Sequence, residues 1–189
     1  MSSEATPTLS LVPISNPNGL NFILGQSVST LIAISPEHLI NSHQKHFIKT
    51  VEDVAEVLAQ SSPHAKWGVA FCEASGPRLI RYDGNATDLE QLAVTNAEKI
   101  AAGHTFIVFV DGIYPVAVLP AIKALPETCR IFCATANPTL VVVASSTSAE
   151  GVQRGVLGVL DGFPPLGVEA EEDRSSRIGF LRTVGYKRG

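Results

Sequence analysis

A chain of 189 residues with a formal net charge of -4 is sized for one domain with a proper core, and its scattered Lys and Arg residues carry no basic excess for a nucleic-acid backbone. Hydrophobic residues make up 45% and charged residues only 17%, so folding has to hide much apolar surface or share it between subunits, which favours a homo-oligomer. No apolar run approaches a membrane span, and the Ser/Thr/Pro-containing N-terminus has neither a signal peptide's apolar core nor a transit peptide's arginines, so a cytoplasmic location away from membranes is expected.

Residues 1–19 hold Pro7, Pro13, Pro17 and Gly19 with little periodicity and read as an irregular N-terminal segment, either a tail or a lead-in strand. Residues 20–189 read as a single domain. Leu20 to Leu24 is its first strand, closed by Gly25-Gln26. Thr50 can cap a helix with Asp53 as an acidic first-turn partner, and Val51, Val54, Ala55 and Leu58 give that helix, about Val51 to Gln60, one apolar face.

Trp67 to Cys72 is a strand, and Leu79 to Tyr82 is its hairpin mate before the Asp83-Gly84-Asn85 turn. Leu89, Leu92, Ala93, Asn96, Ala97 and Ile100 recur at helical spacing up to a stop at Gly103. Thr105 to Val110 is apolar, β-branched or aromatic almost throughout and reads as a central strand buried on both faces. Pro115 can open a helix carrying Val118, Leu119, Ile122 and Leu125. Cys129 to Cys133 and Leu140 to Ala144 read as a second hairpin. Ser145 to Glu150 reads as a polar loop, Val156 to Leu160 as another strand, and Glu171 to Val184 as a helix with Ile178 and Leu181 inward.

Two loops share a pattern: Phe71-Cys72-Glu73-Ala74-Ser75-Gly76-Pro77, and 61 residues later Phe132-Cys133-Ala134-Thr135-Ala136-Asn137-Pro138. Small residues let backbone N–H groups approach an anion or a flat ring, whereas the competing reading is a pair of tight turns built for their dihedrals alone. Cys72, Cys129 and Cys133 sit in or beside apolar runs and read as reduced core residues; Cys129 and Cys133 lack the second pair that a metal site needs. Both halves run helix, strand, small-residue loop, strand. That duplication predicts an α+β fold, a ferredoxin-like sandwich with helices packed on one face of a mostly antiparallel sheet.

The runs His46-Phe47-Ile48-Lys49-Thr50-Val51-Glu52-Asp53, Phe71 to Pro77, Arg130 to Pro138 and Gly158-Val159-Leu160-Asp161-Gly162-Phe163 make the chain resemble the adenosine-specific kinases, small archaeal and bacterial proteins, from about Leu20 to Tyr186. The resemblance implies binding of adenosine or AMP, a modified ferredoxin-like fold, and assembly into small homo-oligomers, a trimer among the possibilities. Where that family has Gly-Ala-Gly-His, this chain has Ala101-Ala102-Gly103-His104.

The chain has no Gly-x-x-x-x-Gly-Lys-Ser/Thr loop, no Gly-x-Gly-x-x-Gly run and no protein-kinase signature. Phosphoryl transfer needs cations on the phosphates, carboxylates for the magnesium that accompanies ATP, and a group that orients the attacking hydroxyl. Lys49 and Arg81 can neutralise phosphate, Glu73 and Asp161 are the candidate catalytic carboxylates, and Asp161 or His104 can orient a hydroxyl. Ser75, Gly76 and Asn137 are candidates for nucleotide contacts. Each has a plainer reading: a solvated Lys49, a solvent-facing Arg81, a capping His104, a turn-forming Asp161. Glu73 is the hardest to dismiss, since a carboxylate buried without a partner beside Cys72 would be costly. Without the transfer, the same residues make a sensor of adenosine or AMP that needs no cofactor.

Relatives run from Gly-Gln-Ser almost directly into His-Phe-Ile-Lys-Thr, whereas eighteen residues, 28–45, stand between them here. The segment is either an inserted surface loop, which closure entropy tolerates, or a translated, unspliced intron. Poor packing is expected for it.

Overall fold

The computed structural model describes residues 6–28, 49–149 and 151–188. All but the first residue of the 28–45 segment lies outside them, as do His46 to Ile48. Five strands form an antiparallel sheet in the order β4-β3-β5-β2-β6: β2 (Asn21–Ser27), β3 (Lys66–Cys72), β4 (Ile80–Gly84), β5 (Thr105–Asp111) and β6 (Thr128–Thr135). A second antiparallel sheet, β1-β7-β8, is made of β1 (Thr8–Pro13), β7 (Thr139–Ser148) and β8 (Gly151–Asp161). The helices are α1 (Lys49–Ser61), α2 (Thr87–Ile100), α3 (Pro115–Ala124) and α4 (Glu171–Thr183). The α+β class expected from the sequence holds, and part of the 1–19 segment is a regular strand.

The large sheet is buried on both faces. Along β5, Phe106, Val108 and Val110 join one apolar cluster with Val51, Val54 and Leu58 of α1 and with Val118 and Ile122 of α3. Ile107 and Phe109, pointing the other way by the two-residue period of a strand, join a second cluster with Leu89, Ala93 and Ile100 of α2 and with Val141 and Val143 of β7. Helices therefore cover both faces, rather than the one face the duplicated pattern predicts, and the small sheet shares a face with α2. That helix lies so close that a Cβ on Gly68 of β3 would come within 2.3 Å of the Leu89 carbonyl carbon. Asn96, fully buried on α2, ties down the β1–β2 connection by accepting from Ser15 N–H at 2.7 Å and donating to Ser15 C=O at 2.9 Å.

Three further expectations change. The second loop does not close a hairpin: β6 pairs with β2, whereas β7 crosses to the small sheet and pairs with β1 and β8. Val141 and Val143 are completely buried over the second cluster, so β7 gains more as a cover on the sheet's face than as another edge strand. The polar residues Ser145 to Ser148 are strand rather than loop, because backbone pairing continues to Ser148–Gly151 whatever the side chains. The final helix forms where periodicity places it, yet none of its residues is buried; Ile178 is exposed and Leu181 only half-buried, since among the described residues no other element covers that face. Cys72 and Cys133 are core residues, but Cys129 is exposed on β6. Among the described residues no helix is long and apolar enough to cross a membrane.

Candidate functional site

The first small-residue loop joins β3 to β4 and forms one side of an open cavity of about 650 Å³, with the paired ends of β7 and β8 on the other side. Its wall includes Glu73, Ala74, Arg78, Glu98, His104 and Arg154. Among the described residues, three that are not glycine have positive φ: Arg78 (+53°), Ala101 (+47°) and His104 (+63°). All three are on this wall. Left-handed backbone costs an L-residue about 1–2 kcal/mol, and such strain gathers where geometry is held for a purpose.

Local sequence explains how the strain is held. Ala101 caps α2 in the left-handed conformation, donating its N–H to the Ala97 carbonyl at 2.8 Å. The helix thus stops two residues before the Gly103 that its composition marks as the stop. Gly103 serves a different purpose: a Cβ there would lie 2.6 Å from the Ala74 Cβ, so glycine lets the α2–β5 turn rest on the β3–β4 loop. His104 then bridges two strands, donating its N–H to Cys72 C=O at 2.8 Å and accepting from Ser27 N–H at 2.8 Å. Its ring stands 6.5 Å from that of Phe71.

Glu73 is mostly buried and paired, as the cost of a lone carboxylate demands. Its Oε2 accepts from Arg81 Nη2 and from Leu79 N–H, each at 3.1 Å. Arg81 accordingly sits behind the wall as the counter-ion of Glu73. Its Nε is buried without a hydrogen-bond partner, as is the Nε of Arg154. Ser75 and Gly76 belong to the same loop, with Ser75 C=O accepting from Arg78 N–H at 3.3 Å and Gly76 at φ +63°, but neither is on the wall. Burial raises the Cys72 thiol pKa above its ordinary value, so this wall residue is not a reactive thiolate.

Asp161 and Asn137 are elsewhere. Asp161 Oδ1 accepts from Thr135 Oγ1 and Asn137 Nδ2, both at 3.0 Å, and this knot braces the crossing from β6 to β7. The register separates it from Glu73. Thr135 pairs with Phe22 at one end of β2, whereas Phe71 pairs with Phe106, which pairs with Gly25 near the other. Glu73 is two residues beyond Phe71, so about five residues of strand, roughly 15 Å, separate the two levels. The two carboxylates are not brought together within one chain. Burial, with Asp161 adding to it, pushes the Cys133 thiol up to about 12.

Lys49 is also off the wall. It ion-pairs with Asp53 and, at 2.6 Å, with the buried Glu127. Both bonds raise the lysine pKa. Burial lifts the Asp53 carboxyl above the ordinary range, with Glu127 adding to the effect; Glu127 is also pushed up by burial, but the Lys49 bond brings it below. Among the described residues no group of three or more His, Cys, Asp or Glu side chains is placed to hold a metal ion.

Sequence reasoning missed Arg78, Glu98 and Arg154. Arg78 was visible in the loop, but Glu98 and Arg154 come from α2 and β8 and carry no local signal. A family model described as Adenosine specific kinase matches residues 32–187. Among solved structures the chain is similar to the PH1918 protein from Pyrococcus horikoshii OT3, seen in a crystal structure: 34% sequence identity, TM-score 0.80, with 97% of this chain and 100% of that chain covered. No curated protein matches.

Proposed function

The chain belongs to the adenosine-specific kinase family, and we propose that it is a cytosolic adenosine- or AMP-binding protein whose ligand occupies the cavity between the β3–β4 loop and the β7–β8 hairpin. The observation that carries this reading is the gathering of strained backbone at Arg78, Ala101 and His104 on one wall beside the small-residue loop. A flat base can approach Ala74 and Gly103 closely, while charged side chains share the wall. Calorimetric titration with adenosine and AMP, with guanosine as control, tests it. Saturable binding of adenosine or AMP but not guanosine is expected; heat of dilution alone for both adenine compounds refutes the reading.

A second reading is phosphoryl transfer from magnesium-ATP to adenosine, and the presence of Glu73 and Glu98 on the wall favours it. Magnesium carried on ATP phosphates asks for one or two protein carboxylates, not a full cage. With Asp161 at the other end of the sheet, His104 is the wall residue suited to orient the attacking hydroxyl. Incubation with adenosine, ATP and magnesium, followed by quantification of AMP, decides: wild type and Glu73→Gln equally inactive would remove the enzyme reading.

We also propose that the chain assembles with copies of itself through the outer face of the small sheet. Leu9 and Leu11 of β1 pair with Ala144 and Val142 of β7, and Leu140 pairs with Leu160 of β8, so these apolar residues share the face turned away from the core. Leu9 and Leu11 are 69% and 55% exposed, and no other described element covers them. Immediately after β8, Phe163, Leu166 and Val168 are almost wholly exposed. An uncharged apolar face and an uncovered apolar arm in one chain fit exchange between copies, and a closed trimer is one arrangement this allows.

A further inference from the structure

Arg154 sits on β8 opposite Ser145 of β7, and its half-buried side chain reaches the C-terminal end of α2, where Nη2 donates to the Lys99 carbonyl at 3.4 Å. That long bond uses one of the five donors of a guanidinium. Its Nε is buried with no partner, and such a donor is costly unless something supplies an acceptor. On the same cavity wall Arg78 is exposed and held at φ +53° by the turn to Ser75. Of the carboxylates there among the described residues, Glu73 is already matched by Arg81, which leaves Glu98 against two arginines. Planar, forked donors in excess of carboxylate are suited to an oxyanion with several acceptor oxygens.

We propose that Arg154 and Arg78 form an oxyanion subsite that takes a phosphate monoester, so that the cavity holds a nucleoside monophosphate in preference to the nucleoside. The inference rests on the adenosine reading of the cavity and adds the part of the ligand that reading leaves open. It also gives the β7–β8 hairpin a role in ligand selection, since the hairpin contributes Arg154 to the wall.

Titration of the full chain with AMP, adenosine and inorganic phosphate is the test. Wild type is expected to bind AMP about ten- to a hundred-fold more tightly than adenosine, the range for added charge-assisted hydrogen bonds. Arg154→Gln and Arg78→Gln each remove most of that advantage, weakening AMP by a clearly larger factor than adenosine, and Arg154→Lys retains part of it. Inorganic phosphate competes with AMP and not with adenosine. Thermal melts establish that each variant folds; Arg78 is exposed, so its variant carries the test even if Arg154→Gln does not fold. Equal wild-type affinity for AMP and adenosine, or variants that lose both ligands alike, overturns the subsite and leaves the adenosine site standing. Wild type that binds neither compound overturns both.

Discussion

Replacing Ala101 by glycine isolates the strain at the end of α2. Ala101 has φ +47° and ψ +36°, its methyl group is exposed, and its N–H keeps the capping bond to Ala97 in either residue. The left-handed conformation costs an alanine about 1–2 kcal/mol, while glycine gives back roughly 0.5–1 kcal/mol through the greater freedom of its unfolded chain. Taken midpoint to midpoint, the difference leaves a net stabilisation of about 0.75 kcal/mol, or roughly 1.5–3 °C in Tm for a domain of this size. Urea denaturation followed by circular dichroism, with a thermal melt alongside, measures it. No wall side chain changes apart from one methyl group, so ligand affinity is expected to stay the same. A midpoint that stays put or falls would refute the claim that this backbone is strained, and would weaken the use of Arg78 and His104 as signs of a site.

Gly103→Ala drives a Cβ to 2.6 Å from that of Ala74 and should cost about 1–3 kcal/mol as well as ligand affinity; adding Ala74→Gly should restore part of both, and a double variant no better than the single one argues against this contact. Lys49→Met leaves Asp53 and the buried Glu127 without their cation and should cost about 2 kcal/mol near neutral pH by urea denaturation. The pH dependence has a definite sign. Glu127, held below the ordinary range, contributes stability above the unfolded carboxylate pKa of about 4.3 and loses it as pH falls through its lowered folded value; Asp53, held above that range, is relieved as pH falls. The deficit of Lys49→Met should therefore shrink in acid as both carboxylates protonate, and an equal deficit in acid and at neutrality would count against an ionic role. Leu11→Glu combined with Leu160→Glu should shift the sedimenting species toward the monomer while leaving the circular dichroism spectrum intact; an unchanged assembly would rule out the outer face of the small sheet as the interface.

Part of the first loop's arrangement was legible in sequence. Glu73 stands between a buried strand and three small residues, and the structure gives it the counter-ion, Arg81, that such a position needs. His104 was marked by the turn that precedes it, and the structure puts it on the same wall as Glu73. Asn137 was offered from the second loop and Asp161 as a second carboxylate beside Glu73, and neither is on that wall. Similar local patterns do not fix strand partners, and β7 leaves the sheet that β6 belongs to.

The amino-acid sequence by itself determined where most helices and strands form, because the apolar spacing that selects them is read over a few neighbouring residues, as in Val51 to Leu58 or Thr105 to Val110; β1 and the polar end of β7 lack that spacing and are strand through backbone pairing. It also determined the family, through runs such as Arg130 to Pro138. Only the tertiary structure decided which strands meet. The pairing of β1 with β7, across more than 120 residues of chain, depends on burying Val12 against Val141 and Val143, a contact no local window contains. The same long-range packing brought Arg154 and Glu98 to the wall with Glu73 and kept Asp161 at the other end of the sheet. A site is a set of distances, and those distances are set by which apolar faces close on one another.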